Sequence, residues 1–67
     1  MKIKELRVER GLTKVQLAKK LGVNKRTILR WENDMMSISL KNAIKVAEFF
    51  EISLDELTKY NNDSTNY

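Results

Sequence analysis

The sequence predicts an all-α chain, a compact bundle of five short helices. Three observations carry that expectation. Apolar residues recur at spacings of three and four, the period of a helix with one buried face. Ser, Thr or Asn residues stand just ahead of four of these patterns, at Thr13, Asn24, Ser39 and Ser53, where a side-chain oxygen can accept from the free amides of a first helical turn. Both glycines, Gly11 and Gly22, fall where one pattern stops and the next begins.

The elements follow in order. Lys2 to Arg10 reads as a first helix with Ile3 and Leu6 turned inward, closed by Gly11. Thr13 and Gln16 form a T-x-x-Q capping box, and Leu12 and Leu17 flank it as a hydrophobic staple, so a second helix starts there and runs to about Lys20. Gly22 supplies the left-handed backbone that lets this helix stop and another begin almost at once. Asn24 caps that third helix, which extends to Asn33, with Val23 and Ile28 as a second staple. The motif helices are therefore expected at about 13–20 and 24–33. Residues 34 to 38 make a linking turn, in which Asp34 can adopt the left-handed conformation at a cost on the order of 1 kcal/mol. Ser39 caps a fourth helix to about Phe50, whose core stripe is Leu40, Ala43, Ile44, Ala47 and Phe50. Ser53 and Glu56 form a capping box for a fifth, stapled by Ile52 and Leu57, and Leu54 and Leu57 complete the core. One domain over residues 1–59 results, followed by a polar tail at 60–67 whose lack of periodicity predicts fraying.

Composition narrows what such a bundle can do. At 67 residues and 42% apolar content there is one small core, near the lower limit for independent folding. Cys and His are both absent, which removes disulfides, thiolate or imidazole metal sites and a histidine switch near neutral pH. No Gly-rich phosphate loop, Ser/His/Asp or Cys/His set or H-E-x-x-H pattern occurs, so catalysis has no foothold and no cofactor or metal is expected. Asp55 and Glu56 lie in a first helical turn, where compensation of the helix dipole accounts for them. No apolar run approaches the roughly 18 residues of a membrane span and no signal-peptide core is present, so the cytosol is the expected compartment.

Charge is asymmetric. Met1 to Asn33 holds ten Lys/Arg against three Asp/Glu, and Asp34 to Tyr67 three against six. A solvated basic face would explain the cluster by itself. On a helical wheel of residues 25–33, however, Ile28 and Trp31 fall on one side and Arg26, Leu29, Arg30 and Asn33 on the other, with Lys25 at its edge. A basic face on a helix held away from the body fits the major groove of B-DNA, where Arg or Lys donates to guanine O6 and N7. Lys25, Arg26 and Arg30 are the base-reading candidates. Trp31, three residues from Ile28, reads as core and not as a base-stacking platform.

The segments IKELRVERGLT, QLAKKLGVNKRTILRWEN and SLKNAIKVAEFFEISLDEL carry a resemblance to the Cro/repressor-type helix-turn-helix family, also called XRE-like regulators. The resemblance covers roughly residues 2 to 58 and implies a lambda-repressor-like DNA-binding domain, with its second and third helices forming the DNA-binding unit. It further implies an ion pair between Arg7 and Glu32, joining the first and third helices, so these two charges read as structural. Lys14 stands where the family often has Gln, which keeps a phosphate contact but loses an amide that could bridge phosphate and a neighbouring side chain. The turn ENDMMSIS replaces the more usual ENG followed by basic or polar residues and a Pro before Ser. Met35 and Met36 thereby remove side-chain phosphate contacts and are free to pack inward or to meet a partner.

Around the reading helix, Thr13 and Lys14 at the start of the second helix, together with Asn24, Thr27 and Asn33, are candidates for the sugar-phosphate backbone. Leu29 can pack on a thymine methyl or on the edge of the core. The function expected is a sequence-specific regulator of transcription that binds double-stranded DNA, a repressor, which the resemblance places in a bacterium or phage. A module this small buries little DNA, so a homodimer on a palindromic operator is expected, with Phe49, Ile52 and Tyr60, and also Met35 and Met36, as interface candidates. The rival reading is a protein-interaction module, such as an antitoxin or anti-regulator that grips a regulatory protein partner and uses DNA binding to control its own synthesis.

Overall fold

In the computed structural model, which describes residues 2–58, helices follow one another as α1 (Lys2–Glu9), α2 (Lys14–Leu21), α3 (Lys25–Asn33), α4 (Leu40–Phe50) and α5 (Leu54–Thr58), with a 3-10 turn at Met35–Ser37 between α3 and α4. Every regular element among the described residues is helical, as the spacing predicts. Tyr60 and the polar tail at 60–67 lie outside the described residues.

Local chemistry accounts for most helix ends. Thr13 Oγ1 accepts from the Gln16 N–H at 3.1 Å while Gln16 Oε1 accepts from the Thr13 N–H at 2.8 Å, so both arms of the capping box are made. At the other end of α2, Gly22 sits at φ 72°, ψ 30° and the Val23 N–H donates back to Ala18 O at 3.0 Å, the wrap that ends a helix through a left-handed residue. Ser39 Oγ accepts from Asn42 N–H at 3.2 Å and Ser53 Oγ from Glu56 N–H at 3.0 Å. The end of α4 carried no glycine signal. Glu51 holds φ 60°, ψ 44° there, a left-handed backbone that costs a side-chain-bearing residue about 1 kcal/mol.

The core gathers one face from each helix. Ile3 of α1, Leu17 and Leu21 of α2, Ile28 and Trp31 of α3, Val46 and Phe50 of α4 and Leu57 of α5 are buried together, with Met35 entering from the turn. Fully burying each such side chain stabilises the fold by about 1.5–3 kcal/mol. Phe49 meets Phe50 edge to face at 4.9 Å between ring centroids, and the Arg10 guanidinium lies 5.3 Å over the Phe50 ring while donating to Phe50 O at 3.0 Å. That arginine ties the end of α1 to the end of α4.

Four expectations are corrected. The buried stripe of α4 is Ala43, Val46, Ala47 and Phe50, whereas Leu40 is 66% and Ile44 42% exposed. The helix is turned by roughly 40° from the expected phase, because Phe50 and Val46 fill the core and the small Ala43 and Ala47 allow close approach. Asp34 is extended at φ −148°, ψ 94°, not left-handed. Its N–H still closes α3 onto Arg30 O at 2.8 Å, and its carboxylate then starts the 3-10 turn by accepting from Met36 N–H at 3.1 Å. Asn24 occupies the N-cap position by backbone geometry but makes no side-chain cap; its Oδ1 accepts from the Thr27 hydroxyl at 3.1 Å instead. Finally, α1 ends at Glu9, which leaves Arg10 in the turn.

Candidate nucleic-acid interface

α3 is held on three sides before any of its outward residues is considered. Ile28 and Trp31 bury one face, and Val23 packs against the same cluster from the turn before it. Near its other end, Glu32 receives two bonds from Arg7: Nε at 2.7 Å to Oε2 and Nη2 at 3.4 Å to Oε1, with the two side chains only 9% and 4% exposed for Arg7 and Glu32. Arg7 Nη1 also donates to Leu12 O at 2.9 Å. One guanidinium thus fixes α3 and the residue just ahead of the α2 cap at the same time, in the fork geometry that suits arginine and not lysine.

A further tie, which holds α2 and not α3, comes from the C-terminal half. Lys45 Nζ on α4 donates to Leu21 O at 3.2 Å, meeting a carbonyl that the end of α2 leaves free and placing a cation at the negative end of that helix. Lys45 and Arg10 have no signal in the sequence. Their partners are 24 and 40 residues away and are backbone carbonyls, which no residue type announces.

The outward side of α3 contains Lys25, Arg26, Leu29, Arg30 and Asn33, all exposed, with Thr27 half-buried at the edge. Arg7–Glu32 is the only salt bridge among the described residues, so Lys25, Arg26 and Arg30 enter none there. On α2, Thr13 is exposed and Lys14 half-buried, and the first-turn amides stand beside them. Thr13 and Gln16 are bound to each other, so each has part of its hydrogen-bonding capacity engaged within the box. α2 and α3 pack against each other, so the start of α2 and the outward face of α3 belong to one helix pair. Phe49 and Ile52 are half-buried and pack on the core. Among the described residues of the second half, the most exposed large apolar side chains are Met36, Leu40 and Ile44, at 80%, 66% and 42% exposure. Met36 and Leu40 edge an open groove of about 500 Å³ floored by Met35, Ile38, Ala43 and Leu54.

A helix pair joined by a glycine turn, with a buried stripe and a basic face on its second member, is the pattern that a helix-turn-helix family model matches over residues 3–57. The chain belongs to the Cro/repressor-type helix-turn-helix family. This helix-turn-helix domain is 40% identical over 62 residues to an uncharacterized HTH-type transcriptional regulator of Methanocaldococcus jannaschii, covering 92% of this chain and 94% of that regulator. It is 39% identical over 56 residues to the cryptic phage CTXphi transcriptional repressor RstR of Vibrio cholerae, 84% of this chain and 50% of the repressor. Against the HTH-type transcriptional activator BcrR of Enterococcus faecalis it is 32% identical over 84% of its length and 28% of the activator's. These relatives reach into the archaea, a wider range of sources than the bacterium or phage expected. No solved structure gives a significant match. The helix-turn-helix domain is thus a DNA-binding element of transcriptional regulators. Among its described residues no helix is long and apolar enough to cross a membrane, and no group of three or more acidic or metal-ligating side chains is placed to hold a metal ion.

Proposed function

We propose that this domain is a sequence-specific reader of double-stranded DNA that represses transcription as a homodimer on a palindromic operator. The observation that carries the reading is the division of α3: its inward side chains are locked by the core and by Arg7, and its outward side chains Lys25, Arg26 and Arg30 enter no salt bridge among the described residues. A rigid helix with exposed cations can donate to guanine edges without reorganising, and the N-terminal residues of such a helix go deepest into the major groove. Lys25, Arg26 and Arg30 read bases. Asn24, Thr27, Asn33 and the α2 start, through Thr13, Lys14 and its first amides, meet the sugar-phosphate backbone and set the register.

Repression needs only that the bound protein occupy its site, whereas activation needs a further surface that engages the transcription machinery. Among the relatives one is named a repressor and one an activator, and the phage repressor is the more similar of the two. Dimerisation supports the palindrome, because two half-sites about one helical turn apart multiply the specificity of a module this small. Met36 and Leu40, which line the groove beside α5, and Ile44, one turn beyond Leu40 on α4, offer more solvent-facing apolar surface to a second copy than the half-buried Phe49 and Ile52.

The test is selection from random double-stranded DNA by the purified protein, with the enriched sequences retested across salt concentrations. A palindromic motif is expected, with Arg26→Ala and Arg30→Ala each lowering specific affinity by about 5- to 150-fold, the range for losing one bidentate base contact. Binding that is steeply salt-dependent but enriches no motif would leave DNA as a secondary partner and favour the protein-interaction module.

A further inference from the structure

Leu29 is the one apolar side chain on the outward face of α3. Its neighbours one turn back are Lys25 and Arg26, one turn ahead is Asn33, and Arg30 stands beside it, all exposed. Leu29 itself is 44% exposed and belongs neither to the buried core nor to the half-buried residues packed on it, which include Val23 just before the helix. A core-edge contact therefore does not account for the whole of Leu29, since 44% of it is left to solvent. At 100° per residue Leu29 lies roughly 50° from Arg26 and Asn33, which point most directly away from Ile28 and Trp31. Helical side chains lean toward the N-terminus, so Leu29 covers the surface over Lys25 and Arg26. That is the end of a reading helix that enters the groove deepest.

An isolated exposed leucine is ordinary on a protein surface. Leu29 differs because the groups around it can reach base edges only if Leu29 is carried out of water with them. Set against a base donor or acceptor, it would leave that polar group desolvated and unpaired. The major-groove edge offers one apolar group, the 5-methyl of thymine. We propose that Leu29 packs on a thymine methyl and makes a T·A pair part of each half-site, next to the pairs read by Lys25 and Arg26. The inference rests on the reading of α3 as the base-reading helix.

The experiment begins from the motif selected with the wild-type protein and replaces each thymine in turn by deoxyuridine, which lacks only the 5-methyl group. Loss of one buried methyl predicts a three- to fivefold weaker complex, about the effect of one CH₂ group, at one thymine per half-site and at no other. Leu29→Ala is expected to keep the melting temperature of the wild type, to bind the thymine-containing site more weakly by a similar factor, and to bind the thymine and uracil sites equally. A wild-type protein indifferent to uracil at every position overturns the inference without any variant being needed. So does a Leu29→Ala protein that keeps the wild-type preference for thymine, or a motif that contains no thymine. If a motif appears and Arg26→Ala and Arg30→Ala lose it while uracil is silent, Leu29 alone has been misassigned; if no motif appears, the base-reading role of α3 fails and this inference with it.

Discussion

α3 and α4 are both amphipathic, and they differ in what they do with the face turned to solvent. α3 presents cations, an asparagine and one leucine; α4 presents Leu40 and Ile44 beside Lys41, Lys45 and Glu48. On α3 the boundary between buried and exposed residues is sharp, because the turn at Gly22, Ile28, Trp31 and the Arg7–Glu32 pair all fix the same rotation. On α4 apolar residues extend round both flanks, and the flank that holds Val46 and Phe50 is the one that went inside. A helix whose rotation is set by several independent contacts suits a task that needs its side chains placed to fractions of an ångström. A helix with apolar residues left over suits contact with another apolar surface.

The contrast is broken most severely at Arg7. Arg7→Ala leaves Glu32 buried without its partner, and a loss of about 3–5 kcal/mol is expected in urea unfolding, enough to unfold most of a domain this small. Replacing both partners together, with Arg7→Met and Glu32→Leu, should restore much of that stability while specific DNA binding stays impaired, since an apolar pair does not reproduce the fork that fixes α3. A double variant no more stable than Arg7→Ala would mean that Arg7 acts mainly through its bond to Leu12 O.

A smaller effect sharpens the account of α4. Val46→Ala should cost about 2 kcal/mol, as a buried large-to-small change, and Leu40→Ala less than about 0.5 kcal/mol, as an exposed one. A larger loss for Leu40→Ala than for Val46→Ala in thermal unfolding of dilute protein would return α4 to the rotation expected from its sequence. The smallest predicted difference separates two helix starts. Thr13→Ala removes a cap and should destabilise by about 1 kcal/mol, whereas Asn24→Ala removes a side chain that bonds only Thr27 and should cost no more than a few tenths.

Sequence legibility followed the same division. The ends of α2 could be read because Thr13, Gln16 and Gly22 each have a strong local backbone preference, and the inward pair of α3 because Ile28 and Trp31 leave one rotation open. Asp34 was misread because the usual ENG turn favours a left-handed residue, yet a carboxylate can also start a new 3-10 turn from extended backbone. The rotation of α4 was not legible, since Leu40, Ala43, Ile44, Val46, Ala47, Phe49 and Phe50 offer two overlapping stripes and only the tertiary volume around Phe50 decides between them. Lys45 on Leu21 O and Arg10 on Phe50 O are contacts to backbone carbonyls across the fold, invisible to any local pattern. The candidate interface was legible as a set of residue types, Leu29 among them; what the fold added is that Leu29 is left 44% exposed and outside the buried core.

The separation of the two faces of α3 also bears on how such a regulator can change. Lys25, Arg26, Leu29, Arg30 and Asn33 form no salt bridge among the described residues and lie outside the hydrophobic core, while Ile28, Trp31 and Glu32 do the holding. Substitutions at the five outward positions should therefore alter which operator is recognised at little cost to folding. A duplicated copy could drift to a new target one base pair at a time, each intermediate remaining a folded protein, with the freedom to diverge confined to one side of a single nine-residue helix.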